Sequence, residues 1–300
     1  MNAIEIRNLS KSFRGMYAVD NLSMTVPTGA IYGFIGENGS GKSTTEKLIC
    51  GHLVPDKGEI KLFGKDYTDA GVRVRVGALI ESAGCFPNSS VHANLMMQAL
   101  NLGIENRDAE IKRVLKIVKM EDSARIKFKS CSLGMKQRIG IAMALLGNPA
   151  LLILDEPING LDTDGMRIMR EILVDITQNL GCTVLISSHI LGELEKIATH
   201  YGIIRQGRMV QELSAKEMDA RSRVYVSLKT RDMQGARGIL KDMFYTVRQQ
   251  EDSLLVYDAE DTEAIVELLI KNGHTVSEIK KNKIGLEEYY IELMGKKEAE

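Results

Sequence analysis

Ala30-Ile31-Tyr32-Gly33-Phe34-Ile35, followed by Gly36-Glu37-Asn38-Gly39-Ser40-Gly41-Lys42-Ser43-Thr44, is the stretch that decides the fold. The first six residues form a short apolar run that reads as a buried strand. The glycine-rich segment after them reads as a loop wrapped around phosphate. Its glycines permit positive φ and close approach, so several backbone N–H groups can converge on a β-phosphate. A helix beginning near Lys42 adds its positive dipole end at the same point. In this reading Lys42 reaches the β- and γ-phosphates and the Ser43 hydroxyl ligates Mg²⁺. An ordinary Gly-rich turn would not require the flanking strand and helix that are present here.

Two further segments fit the same chemistry. Leu151-Leu152-Ile153-Leu154-Asp155-Glu156-Pro157 is an apolar run that delivers two acids at its carboxyl end, where open α/β sheets place their ligands. Asp155 would join the Mg²⁺ shell, and Glu156 would polarise an attacking water. Pro157 then ends the strand. Many strands exit into acidic turns, so the pair gains its meaning from the phosphate loop upstream. The next apolar strand, Thr183–Ile186, leads into Ser187-Ser188-His189, where His189 can meet the γ-phosphate and the water. Ser132-Leu133-Gly134-Met135-Lys136-Gln137-Arg138 opens a helix with Ser132 as N-cap, a second helix start suited to an anion.

Composition restricts the alternatives. The 300 residues are 44% hydrophobic and 26% charged, with 39 basic against 40 acidic side chains. No bulk charge drives the chain towards nucleic acid. No apolar stretch approaches the ~18–20 residues of a membrane span. The segment Met1-Asn2-Ala3-Ile4-Glu5-Ile6 lacks the features of a secretion signal, which predicts a cytoplasmic protein. Cys50, Cys85, Cys131 and Cys182 lie far apart without a C-x-x-C pair and read as small apolar residues in a reducing compartment.

Residues 1–220 alternate strand-like and helix-like segments, beginning with Ile4–Leu9 and Leu22–Val26. Val91, Leu95, Met96, Ala99, Leu102, Ile111, Leu115 and Val118 keep helical spacing, which predicts a helical subdomain over about 84–147. Residues 221–300 form a separate accessory domain. Strands at Val224–Leu228, Tyr245–Arg248, Ser253–Tyr257 and Thr275–Ile279, with helices at Gln234–Met243 and Thr262–Ile270, make a βαββαβ order. That order predicts a small ferredoxin-like α+β domain. A final helix, Leu286–Met294, precedes the charged tail Lys296–Glu300.

With these elements in this order, Ile4–Leu213 resembles the nucleotide-binding subunit of ATP-binding cassette (ABC) transporters. The resemblance implies an α/β P-loop fold with a mixed core sheet, a small antiparallel β-subdomain and a helical subdomain. It implies an ATPase using ATP and Mg²⁺, with Glu156, His189 and Lys42 catalytic and Ser43 and Asp155 near the metal; Glu81, a carboxylate in place of the family's glutamine, is expected to ligate Mg²⁺ through water. Phe13 would stack on adenine beside Val19, and Gly36–Thr44 would bind the phosphates. Ser132, Leu133, Gly134 and Met135 match the signature that faces ATP on the opposite subunit, and Gly160-Leu161-Asp162 the dimer-contacting D-loop. Two chains would therefore sandwich two ATP molecules.

Departures from the family pattern narrow the subfamily. Glu81 stands where most cassettes carry glutamine, Met135 replaces an amide in the signature, and Ile158 replaces a threonine. Glu46 occupies a helix position that is usually apolar. Together with Asn159-Gly160-Leu161-Asp162, Ser187-Ser188-His189-Ile190-Leu191 and the tail Lys283-Ile284-Gly285-Leu286-Glu287-Glu288-Tyr289-Tyr290, the chain looks like bacitracin and lantibiotic exporters. That implies a cytoplasmic homodimer held at the inner face of the membrane by a separate integral permease, conferring resistance or immunity. No nucleic acid partner is expected. The alternatives are a soluble non-transport ABC ATPase, or a sensor that binds ATP with little turnover. The single phosphate loop and the lack of a sustained heptad weigh against the first, and Glu156 against the second.

Overall fold

The computed structural model describes residues 1–221, 224–243, 245–250, 252–257, 259 and 261–296. The charged tail beyond 296 lies outside the described residues. The chain divides into two compact units, Met1–Ala215 and Lys216–Glu300.

In chain order the strands of the first unit are β1 (Asn2–Phe13), β2 (Met16–Pro27), β3 (Ile31–Ile35), β4 (Lys57–Leu62), β5 (Lys65–Asp66), β6 (Val76–Leu79), β7 (Leu151–Asp155), β8 (Thr183–Ser188), β9 (His200–Arg205) and β10 (Arg208–Ser214). They form two sheets. The core sheet has the order β10-β9-β3-β8-β7-β6, and β2-β1-β4-β5 form a smaller one. In the core sheet β9, β3, β8, β7 and β6 run parallel, and β10 is an antiparallel edge. Every residue of β3 and β8 is buried, as is every residue of β7 up to Leu154. A parallel strand covered on both faces needs an apolar residue at each position, which is why these runs do not alternate. β1 and β2 belong to the antiparallel sheet and do alternate in part; each runs for twelve residues, well beyond the predicted Ile4–Leu9 and Leu22–Val26.

Between β6 and β7 lies the helical subdomain, with helices α3 (Val91–Asn101), α4 (Arg107–Ile117) and α5 (Leu133–Leu145) following α1 (Lys42–Ile49) and the short α2 (Ala70–Arg73). The α3 face Val91, Leu95 and Ala99 and the α4 face Ile111, Val114 and Leu115 are buried, at the spacing the sequence predicts. Ser90 caps α3, accepting from Ala93 N–H, and Ser132 caps α5, accepting from Met135 N–H. Helix α6 (Thr163–Leu180) is capped by Asp162 and ends at Gly181 with φ 65°. No helix among the described residues is long and apolar enough to cross a membrane.

The second unit contains β11 (Val224–Thr230), β12 (Thr246–Gln250), β13 (Ser253–Tyr257) and β14 (Val276–Lys283). They form an antiparallel sheet of order β12-β13-β11-β14. Helices Met233–Asp242 and Thr262–Lys271 supply Ala236, Leu240, Ile265 and Leu269 to a core with Val226, Leu228, Leu254 and Val256. The strand order and the helix placement give the ferredoxin-like arrangement.

Candidate functional site: a phosphate loop facing two acids and a histidine

β3 ends at Ile35, and the loop Gly36–Gly41 carries the chain into α1, whose N-cap Gly41 has φ 108°. Two glycines here are sterically required. A Cβ on Gly41 would lie 2.4 Å from Ala18 O, and one on Gly36 would lie 2.5 Å from Ile204 O. The Lys42 side chain curls back under the loop and donates to Gly36 O (2.6 Å) and Glu37 O (3.1 Å). The residue is only 6% exposed. Its cation and the N-terminal end of α1 therefore act on one small volume, as an anion site requires.

Strand register brings the other groups to that volume. β8 lies between β3 and β7, pairing Ile35 with Ser188 and Asp155 with Ser187. Their carboxyl ends thus deliver the phosphate loop, the Asp155-Glu156 pair and His189 side by side. Ser187 Oγ–H donates to Asp155 Oδ1 (2.7 Å), and Glu156 N–H donates to Ser187 Oγ (3.0 Å). Glu156 itself has φ 49°, a conformation strained for a non-glycine residue and concentrated at functional sites. Its Oε2 lies 2.8 Å from His189 Nδ1. A cleft of about 380 Å³ is lined by Asn38, Gly39, Gly41, Lys42, Ser43, Thr44, Asp155 and Glu156, together with Ala18. Backbone N–H donors, one cation, hard oxygen ligands and a hydrogen-bonded Glu–His pair thus meet in one place. This set can hold a triphosphate and take a proton from water.

The structure places other predicted residues elsewhere. Phe13 is 45% exposed at the tip of the β1–β2 hairpin, with Lys11 Nζ 5.6 Å from its ring centroid and tethered to Asp56. Val19 corrects the expectation of an adenine contact: it is wholly buried in the hydrophobic core. Side chains alternate along a strand, so Ala18 takes the place on the cleft. Glu81 is held outside the cleft lining, in an ion pair with Lys47 at 2.6 Å, and its side chain is 68% exposed. Ser132, Leu133 and Gly134 share a second cleft of about 400 Å³ with Gly160, Leu161 and Asp162. The two segments are thereby neighbours, in a cleft separate from the one lined by Lys42 and Ser43. Met135 contributes its backbone N–H to the Ser132 cap, and Ile158 is fully buried, so an apolar side chain suits that position.

The family profile described as ABC transporter matches residues 19–159. The bacitracin transport ATP-binding protein BcrA of Bacillus licheniformis is 35% identical over 299 residues, covering 97% of each chain. The lantibiotic transport ATP-binding protein SrtF of Streptococcus pyogenes is 38% identical over 216 residues, covering 72% of this chain and 91% of that one. The chain belongs to the ATP-binding proteins of ABC transporters. Among solved structures, cbiO1 of Clostridium perfringens superposes with a TM-score of 0.67 at 26% identity, covering 73% of this chain and 91% of the other. The first unit is accordingly an ABC cassette, and the chain binds and hydrolyses ATP.

Ser187 and Glu46 stand beside Asp155, and neither is among the residues the sequence predicts for the site. Ser187 is fully buried and ties Asp155 to the Glu156 backbone, so it sets how the two acids sit relative to each other. The available signal was a hydroxyl at the end of an otherwise apolar strand. Glu46 is the acid at a helix position that is usually apolar in the family. It is 0% exposed, and neither carboxylate oxygen completes a hydrogen bond. Burial pushes its pKa up to about 8, and the nearby Asp155 carboxylate pushes the same way. The Lys42 cation counteracts this only in part. Burial and the neighbouring carboxylate thus favour the neutral form of this acid.

Proposed function

We propose that this chain is the ATPase subunit of an exporter of peptide antibiotics of the bacitracin type, paired with a separate integral membrane permease and conferring resistance or immunity. The observation that carries this reading is the match to the bacitracin transport proteins of Bacillus licheniformis and Enterococcus faecalis. Each is 35% identical across 97% of this chain. The lantibiotic relative covers only 72% of it. The bacitracin proteins therefore share the length of the second unit as well as the cassette.

In the proposed mechanism the loop Gly36–Thr44 binds the ATP phosphates, and Phe13 offers its exposed ring to adenine. Lys42 exchanges the carbonyls of Gly36 and Glu37 for β- and γ-phosphate oxygens. Ser43 and Asp155 fit Mg²⁺ by chemistry, being oxygen donors on one cleft. Among the described residues no cluster of three or more His, Cys, Asp or Glu side chains could hold a metal ion. When bound, Mg²⁺ neutralises charge on the transferring phosphoryl group. Glu156 accepts the proton of the attacking water, and His189, bonded to its carboxylate, fixes its direction. Ser132 and Gly134 come from a second copy and close over the γ-phosphate, so that ATP favours the paired state.

The surface between Glu81 and Met97 is proposed to meet the permease, which holds the subunit at the inner face of the membrane. Exposed Val74 and Leu102 line a groove of about 370 Å³ at the junction of β6 with α3 and α5, and Phe86 and Met97 are exposed as well. Glu81 would report nucleotide state to this surface. The exposed Lys47–Glu81 pair is worth ~0–1 kcal/mol, so Glu81→Ala is expected to leave melting unchanged while lowering transport and ATPase activity. Unchanged activity in both assays removes Glu81 from the mechanism. Copurification with a membrane partner, followed by ATPase measurement with and without bacitracin, tests the whole reading. Stimulation by the antibiotic is expected. Failure to copurify with any membrane protein would favour the soluble ATPase instead.

A further inference from the structure

The orphaned acid Glu46 lies one helical turn beyond Ser43 and i+4 from Lys42, so all three share a face of α1. Asp155, Ser187 and Lys42 stand near its buried carboxyl, and of these Asp155 and Lys42 line the ATP cleft. A buried carboxyl with no hydrogen-bond partner is among the costliest groups a core can hold, and a site retaining one calls for a missing water or ion. An apolar side chain would fill this position without that cost.

We propose that Glu46 belongs to the divalent-cation site of the ATP cleft as an outer-shell oxygen ligand. In this role its carboxyl would accept hydrogen bonds from water carried by the cation. It is a positioning residue: it touches neither nucleotide nor attacking water, and it acts by tightening the hold on a hydrated ion. The proposal rests on the ATPase reading above. It gives a reason for an acid at a position where an apolar side chain would pack without cost.

The test is direct cation binding to the full-length protein saturated with a non-hydrolysable ATP analogue. Bound and free Mn²⁺ are read by electron paramagnetic resonance, with nucleotide affinity in excess EDTA measured separately. Outer-shell partners of metal sites typically contribute about 10–100-fold in affinity, so Glu46→Leu is expected to raise the Mn²⁺ Kd at least about tenfold. Nucleotide affinity in EDTA should stay within about twofold of wild type, because Glu46 does not touch nucleotide. Glu46→Gln keeps a carbonyl acceptor and should recover most of the loss. Glu46→Met serves in place of leucine if that variant does not fold. Asp155→Asn is the control. If it weakens Mn²⁺ binding while Glu46→Leu does not, Glu46 has no part in the cation site. A Glu46→Gln variant as impaired as Glu46→Leu overturns the acceptor role. If Asp155→Asn also leaves Mn²⁺ affinity unchanged, the cation site itself is misplaced.

Discussion

Glu156→Gln is expected to bind ATP and to turn it over about 100- to 10,000-fold more slowly, the range spanned by a positioned general base. The carboxylate stands at the carboxyl end of β7, with its backbone tied to Ser187 and its Oε2 against His189 Nδ1. Glutamine preserves the shape and can still hydrogen-bond to the histidine, so the fold and the cleft should persist. What it cannot do is take the proton from water. ATP then stays intact in the cleft, and the state it favours accumulates. Light scattering with saturating ATP should find two chains per particle for this variant and a return to one after ATP is removed. A particle that remains monomeric at saturating ATP would mean that the Ser132–Gly134 helix start does not close over a partner's nucleotide.

The second large effect concerns stability without ligands. Glu46 has a folded pKa of about 8 against an ordinary 4.5. Below pH 4.5 the acid is neutral in both states and contributes no pH dependence. Between 4.5 and 8 the unfolded chain ionises while the folded one stays protonated, so stability falls as pH rises. Above 8 the loss is complete. At 1.36 kcal/mol per unit the full swing is on the order of 5 kcal/mol, of which about 3 applies at pH 7. Glu46→Leu and Glu46→Gln remove this slope. In the nucleotide- and cation-free protein both should melt higher than wild type at pH 8.5 and differ little from it near pH 4.5. A wild-type melting temperature with the same pH profile as Glu46→Gln would show that the buried acid does not titrate in this window.

The phosphate loop was legible because its function is written in local geometry. Positive φ at Gly41 and a helix starting at Lys42 depend on neighbours in sequence, whereas the forbidden Cβ positions at Gly36 and Gly41 come from Ile204 O and Ala18 O, distant in the chain. The buried strands β3, β7 and β8 were legible for a similar reason, since complete burial demands an unbroken apolar run. β4 is harder to read. Its residues Lys-Gly-Glu-Ile-Lys-Leu turn only Ile60 and Leu62 fully inward. Two buried positions among charges do not stand out as a strand; pairing with β1 makes it one. Val19 was misplaced because motif matching assigns a position without assigning a face, and strand alternation gave the cleft to Ala18.

The order of motifs along the chain was enough to establish the family, the ATPase chemistry and the residues brought to one cleft: Lys42, Ser43, Asp155 and Glu156. Each sits at an element boundary, where short-range rules of strand exit and helix start govern the backbone. Tertiary structure alone decided the contacts across strands: the Ser187 bridge between two acids, the Glu156–His189 pair, the Lys47–Glu81 pair and the isolation of Glu46. These join residues that are 31, 33 and 34 positions apart, or in Glu46's case depend on what is missing around the side chain. Hydrogen-bond partners and burial are properties of the packed neighbourhood, and that neighbourhood exists only once β3, β8 and β7 lie side by side.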